Sequence, residues 1–199
     1  MSNQLQAQEP SYPAFVRKLF NRSGDPSKDF AHAVLGIATE NHELLNATDV
    51  VNAVEELGDG EFYAVALQQV IEDRWQHPLD TAALEDIIQE DVDLILSSAE
   101  PFALLQDTTN ELLDHAKRWV GYGRAPERLE ASYTLAMVAQ RVARELSLVK
   151  HADATQAHIR SVNMAKLLKR YPGGDFDQFR ALQRDLGAER ATLESAVLG

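Results

Sequence analysis

The sequence predicts an all-α protein, and three observations carry that prediction. Ala, Leu, Glu, Gln and Arg dominate, period-two runs of β-branched residues are absent, and Pro, Gly and capping side chains cut the chain into segments of helical length. Asp25-Pro26 reads as a cap followed by a first-turn proline, opening a helix over about 27–46. Thr48 reads as the N-cap of a second helix to about 72, and His77-Pro78 interrupts before a third over about 80–97. Pro101 starts a fourth, which ends at Gly121-Tyr122-Gly123. Pro126 opens a fifth to about 149, and Asp153 caps a sixth to Tyr171. After Pro172-Gly173-Gly174 a last helix is expected from Asp175 nearly to the C-terminus. Residues 26–199 are therefore expected to form a single all-α domain, and residues 1–25 a loosely ordered N-terminal arm.

Composition narrows the functional classes. A chain of 199 residues can bury one substantial core. With no cysteine there is no disulfide framework, no thiolate zinc site and no cysteine nucleophile. No apolar run approaches the ~20 residues of a membrane span. The first ten residues, rich in Gln and Ser, lack the charged and apolar regions of a signal peptide. No membrane partner and a cytoplasmic location are the expectation. Thirty-one acidic against nineteen basic side chains give a net charge of −12. That balance argues against a nucleic-acid polymer as partner, because such binding draws on Lys and Arg displacing counterions. An anionic small molecule would need a basic subsite or a metal ion to mediate.

The informative stretch runs from Asp29 to Tyr63. On the first helix Glu40 and Glu43 are three apart and share a face, with Gly36 and Ala47 small enough to admit another helix. On the second, Glu56 and Asp59 are again three apart, Gly58 and Gly60 flank Asp59, and Tyr63 lies one turn beyond. Two helices bringing carboxylate pairs to one core must either raise each other's pKa or bind a counter-cation. An all-oxygen set suits Mg²⁺, with Mn²⁺ as a substitute. The alternative for each pair is a solvated helix face, which is also the reading for Glu90-x-x-Asp93 further along.

A second constellation lies near the C-terminal end. Between 150 and 170, Lys150, Arg160, Lys166, Lys169 and Arg170 are opposed only by Asp153, and Asn163, Lys166 and Arg170 share one helical face. Such a face either receives phosphates or forms salt bridges to the acidic helices. Lys28, Lys117 and Arg124 are further candidates for phosphate. Tyr63 and Trp119 either stack on a base or belong to the core. The six histidines form no metal-binding spacing, and no Glu-x-x-His occurs anywhere, which argues against a di-iron bundle.

Glu40-x-x-Glu43, twelve residues, then Glu56-x-x-Asp59 resembles the signature of the all-α nucleoside triphosphate pyrophosphohydrolases. These comprise MazG-type enzymes, dimeric dUTPases and phosphoribosyl-ATP pyrophosphohydrolases. The words Gly36-Ile37-Ala38-Thr39-Glu40-Asn41-His42-Glu43-Leu44-Leu45 and Glu55-Glu56-Leu57-Gly58-Asp59-Gly60-Glu61-Phe62-Tyr63-Ala64 are similar to the MazG-like branch, including forms carried by bacteriophages. So are Tyr122-Gly123-Arg124 and the stretch from Asn163 through Lys166-Leu167 to Arg170-Tyr171-Pro172. The likeness covers residues 28–195, with no family word over 73–110. Asn41 and Gly60 stand where the family often has acidic or aliphatic residues.

The resemblance implies a helical bundle of that type, with Mg²⁺ on Glu40, Glu43, Glu56 and Asp59 and the general base at Glu40 or Glu43. It implies cleavage of a nucleoside or deoxynucleoside triphosphate between the α and β phosphates, giving a monophosphate and pyrophosphate in nucleotide-pool control. Asn163, Lys166 and Arg170 would contact the substrate by the resemblance, with Tyr63 and Lys28 added from the residue pattern alone. A homodimer or homotetramer is expected, in the host cytoplasm if the chain is phage-encoded. The alternatives are a relative acting on phosphoribosyl-ATP or dUTP, and a non-enzymatic helical adaptor.

Overall fold

Short polar side chains decide where the helices begin. The computed structural model describes residues 11–148 and 154–199, and among these every regular element is helical. In chain order they are α1 (Tyr12–Leu19), α2 (Pro26–Leu45), α3 (Val50–Trp75), α4 (Thr81–Leu96), α5 (Pro101–Tyr122), α6 (Leu129–Leu146), α7 (Gln156–Arg170), α8 (Gln178–Leu182) and α9 (Leu186–Leu198). The protein is an all-α helical bundle. Asp25, Asp49, Asp80, Thr155, Asp177 and Asp185 each accept a hydrogen bond from a first-turn amide, satisfying a donor that the helix itself leaves free.

Several boundaries differ from the sequence reading, for local reasons. Asp49 rather than Thr48 caps α3, taking the Asn52 amide at 2.9 Å. The fifth expected helix starts at Leu129, not Pro126. Thr155 caps α7, and the expected cap Asp153 lies outside the described residues. The last expected helix is two, because Asp177 and Asp185 are both N-caps and Gln183 between them leaves the helical backbone.

The largest correction is at the N-terminal arm. Residues 1–10 lie outside the described set, but over 12–19 the arm is not loose. Ser11 followed by Pro13 opens α1, which buries Tyr12, Phe15, Val16 and Leu19 against α3 and α7. Burying side chains of this size contributes about 1.5–3 kcal/mol each. Gln69 of α3 fixes the start of α1 by donating to the Pro13 carbonyl at 2.7 Å.

Packing centres on α3, which meets α1, α2, α6, α7 and α9. Its apolar residues Leu67 and Ile71 are fully buried, together with Phe30 of α2 and Leu112 of α5. Trp119, one of the two aromatic candidates for a base platform, packs on Phe30 at 5.1 Å between ring centres and belongs to this core. No helix among the described residues is long and apolar enough to cross a membrane.

Candidate active site

One glycine brings α2 and α3, with their carboxylates, together, and two more bring α7 and α6 against α3. A Cβ at Gly36 would overlap the Tyr63 ring, so only glycine allows α2 to lie this close to α3. A Cβ at Gly58 would stand 3.0 Å from the Asn163 Cβ, and one at Gly60 3.2 Å from the Gln140 amide nitrogen. The small residues flanking the acidic pairs thus mark close approaches on two sides of α3.

The result is a cluster in which Glu40, Glu43 and Glu56 each offer an oxygen within 4.8 Å of the others. Glu40 and Glu56 are half-buried and Glu43 is exposed. Burial, then the charge of Asp59, pushes Glu40 up to about 9, and the same two causes push Glu56 up to about 7. Contact between the two carboxyls adds to the rise at Glu40 and works against it at Glu56. That behaviour and the all-oxygen donor set fit a hard divalent ion.

Asp59 stands beside this trio but is occupied differently. Its Oδ1 accepts from the Asn163 amide at 2.7 Å, and its Oδ2 accepts from the Lys166 ammonium. Lys166 is fully buried and also pairs with Glu55 at 3.3 Å. Burial works against its charge, yet Asp59 and Glu55 outweigh this and raise its pKa.

The carboxylates line a cleft of about 440 Å³. Its walls include Phe20, His32, Phe62, Tyr63, Tyr171 and Phe176, together with Arg170 and Arg184. Phe20 stacks on His32 at 4.7 Å, and Tyr63 presents an edge relation to both His32 and Phe62. Arg170 donates to both oxygens of Glu189, at 2.9 and 2.6 Å, and Arg184 donates to the same carboxylate at 2.7 Å. Glu189 is held down to about 2: burial pushes it up, but the two arginines prevail. A larger hollow of about 590 Å³ lies elsewhere on α3, against α4, α6 and α7, without the carboxylate trio.

The sequence-derived candidates therefore divide. Glu40, Glu43, Glu56, Tyr63 and Arg170 share the cleft with Asp59, while Asn163 and Lys166 are buried behind Asp59 and hold it. Lys28 is away from the cleft: it is exposed at the start of α2 and pairs loosely with Asp25 at 3.9 Å. Twelve residues along the helix separate it from Glu40, about 18 Å. Lys117 pairs with Asp114.

The basic face of α7 is largely consumed internally. Arg160 pairs with Glu61, Lys166 with Asp59 and Glu55, and Arg170 with Glu189; Lys150 lies outside the described residues. The salt-bridging alternative is thus realised for these three, and Arg170 alone of them also lines the cleft. Sequence reasoning gave no role in the site to Glu55, Phe20 or His32. Arg184 and Glu189 stand in the closing words Arg184-Asp185-Leu186 and Ala188-Glu189-Arg190, which fit the same family pattern, but no task was assigned to them. Comparison with protein-family models, curated proteins and solved structures finds no match.

Proposed function

We propose that this chain is a metal-dependent nucleoside triphosphate pyrophosphohydrolase of the MazG-like kind. One observation carries the reading: Glu40, Glu43 and Glu56 from two consecutive helices converge within 4.8 Å at a cleft that Arg170 and Arg184 also line. Acidic, basic and aromatic groups around one space suit a ligand that is planar at one end and polyanionic at the other. Glu40, Glu43 and Glu56 would hold Mg²⁺ or Mn²⁺, with Asp59 beside them. When bound, the ion supplies charge neutralisation at the α-phosphate and acidifies a bound water.

The chain's own residues would do the rest. Arg170 and Arg184, braced on Glu189, bind the outer phosphates through the guanidinium N–H groups that Glu189 leaves free. Phe20, His32 and Tyr63 offer faces and edges for a base and exclude water from that end. In the hydrolysis, the water oxygen bonds to the α-phosphorus and the bond to the bridging oxygen breaks. Pyrophosphate leaves with that oxygen, and the water's proton passes to a carboxylate oxygen of Glu40 or Glu43.

The test is to incubate the protein with each of the eight common ribo- and deoxyribonucleoside triphosphates, with Mg²⁺ or Mn²⁺, and to separate pyrophosphate from orthophosphate release. Pyrophosphate with the matching monophosphate, lost in Glu43→Ala, supports the reading. No Mn²⁺ binding by calorimetry and no release with any triphosphate would overturn it. Phosphoribosyl-ATP belongs in the same screen. A homo-oligomer is part of the proposal, measured by light scattering.

A further inference from the structure

The buried network behind Asp59 extends to a residue of the N-terminal helix. Tyr12 in α1 places its hydroxyl 2.9 Å from Asn163 Oδ1 and 3.5 Å from the Gly58 carbonyl. Asn163 in turn donates Nδ2 to Asp59 Oδ1 at 2.7 Å. Tyr12 and Asn163 are both buried, 7 % and 1 % exposed. The chain Tyr12–Asn163–Asp59 thus joins α1, α7 and α3, three helices far apart in sequence.

Donor and acceptor chemistry fixes every member of this chain. A carboxylate only accepts, so Asn163 must turn its NH₂ toward Asp59. That leaves the amide oxygen facing Tyr12, whose hydroxyl has a second acceptor, the Gly58 carbonyl, on the same side. Tyr12 must therefore donate. An amide gripped at one end only could turn over and set its oxygen against Asp59; gripped at both ends, it cannot.

The surroundings hold the tyrosine as firmly. The Arg160 guanidinium lies 5.2 Å from the centre of the Tyr12 ring and is itself paired with Glu61. Gly58 lets Asn163 sit close against α3.

We propose that Tyr12 is a positioning residue that locks the Asn163 amide and so fixes Asp59 beside the carboxylate trio. The lock is a property of the protein without ligands. Its bearing on metal affinity rests on the function proposed above.

Tyr12→Phe removes one oxygen and keeps the ring, so thermal unfolding should show a folded protein. The first readout is exchange of the Asn163 side-chain amide protons by NMR, assigned by their loss in Asn163→Ala. Losing one hydrogen bond should speed that exchange about fivefold. The second readout is Mn²⁺ affinity by calorimetry, which should weaken about tenfold in Tyr12→Phe, the lower end for outer-shell partners. In an Asn163→Ala background, Tyr12→Phe should weaken Mn²⁺ no further, because the two act through one amide.

A merely structural tyrosine would give losses that multiply. Unchanged amide exchange in Tyr12→Phe, or multiplying losses of Mn²⁺ affinity, overturns the proposal. If the unaltered protein binds no Mn²⁺, the proposed function falls, and the amide exchange decides the lock by itself.

Discussion

Two acidic pairs with the same spacing have opposite fates in this molecule. Glu40 and Glu43 on α2 meet Glu56 on α3 across a contact made close by glycine, and they line one cleft. Glu90 and Asp93 on α4 are both exposed, and the Asp93 carboxylate accepts from Gln89 on its own helix, at 2.8 Å. Spacing puts two carboxylates on one face; a second acidic helix, brought near by the absence of side chains, makes that face a site. Asp93 reaches the rim of the larger hollow, but among the described residues no acidic cluster forms around the Glu90 pair, and both side chains stay exposed.

Several substitutions sharpen that contrast, beginning with the largest effect. Glu43→Ala or Glu56→Ala should reduce Mn²⁺ binding and pyrophosphate release to background, whereas Glu90→Ala with Asp93→Ala should leave both unchanged. Equal loss from both pairs would break the comparison. Next, Lys166→Met leaves Asp59 and Glu55 without their buried cation, and urea unfolding should show a loss of about 3–5 kcal/mol. By contrast Arg141, paired with a more exposed Glu85, should give no more than about 1 kcal/mol when changed to Met. Gly36→Ala forces a Cβ into the Tyr63 ring and should destabilise by about 1–3 kcal/mol, with weakened Mn²⁺ binding.

The pH dependence is smaller but has a definite sign. Glu40 and Glu56 have folded-state pKa values of about 9 and about 7, above their ordinary range. The folded chain therefore holds more protons than the unfolded one, and this contribution to stability is lost as pH rises through those values. In chelator, the melting temperature should fall between pH 6 and pH 9, and Glu40→Gln should flatten the fall. Glu189 works the other way: held down to about 2, it stabilises above its ordinary range and loses that contribution as pH drops toward 2. A chelated protein whose melting temperature rises from pH 6 to 9 would contradict the raised pKa of Glu40 and Glu56. Smallest of all, Glu90→Ala should shift stability by no more than about 0.5 kcal/mol.

Much of this was legible in the sequence, for reasons that differ by residue. The helices α2 to α5 were marked by prolines and aspartates whose effect is local, so their starts could be read within one to a few residues. The carboxylate trio was legible because two short motifs sit on consecutive helices, where a hairpin leaves little freedom in how they meet. Longer-range partners were not. Nothing in the one-dimensional pattern says that Lys166 turns inward to Asp59 rather than outward to phosphate, since a basic face reads the same either way. Arg184 and Glu189 depend on where α9 docks, which rests on a break between α8 and α9 that the composition conceals. Helix α1 was overlooked because eight residues beside a polar leader carry weak periodicity, and it is packing against α3 and α7 that holds them.

Lys166 has a consequence for how this protein holds its acidic cluster together. The ammonium sits permanently among Asp59 and Glu55, so part of the site's negative charge is cancelled by a group that can never diffuse away. Only the Glu40–Glu43–Glu56 corner depends on what the solvent supplies. Assembly of the bundle and loading of that corner become separate events. If the trio takes a divalent ion as proposed, a chelator should empty it and leave a folded, reloadable protein, and the free divalent concentration would act as a throttle on the proposed activity without threatening the fold.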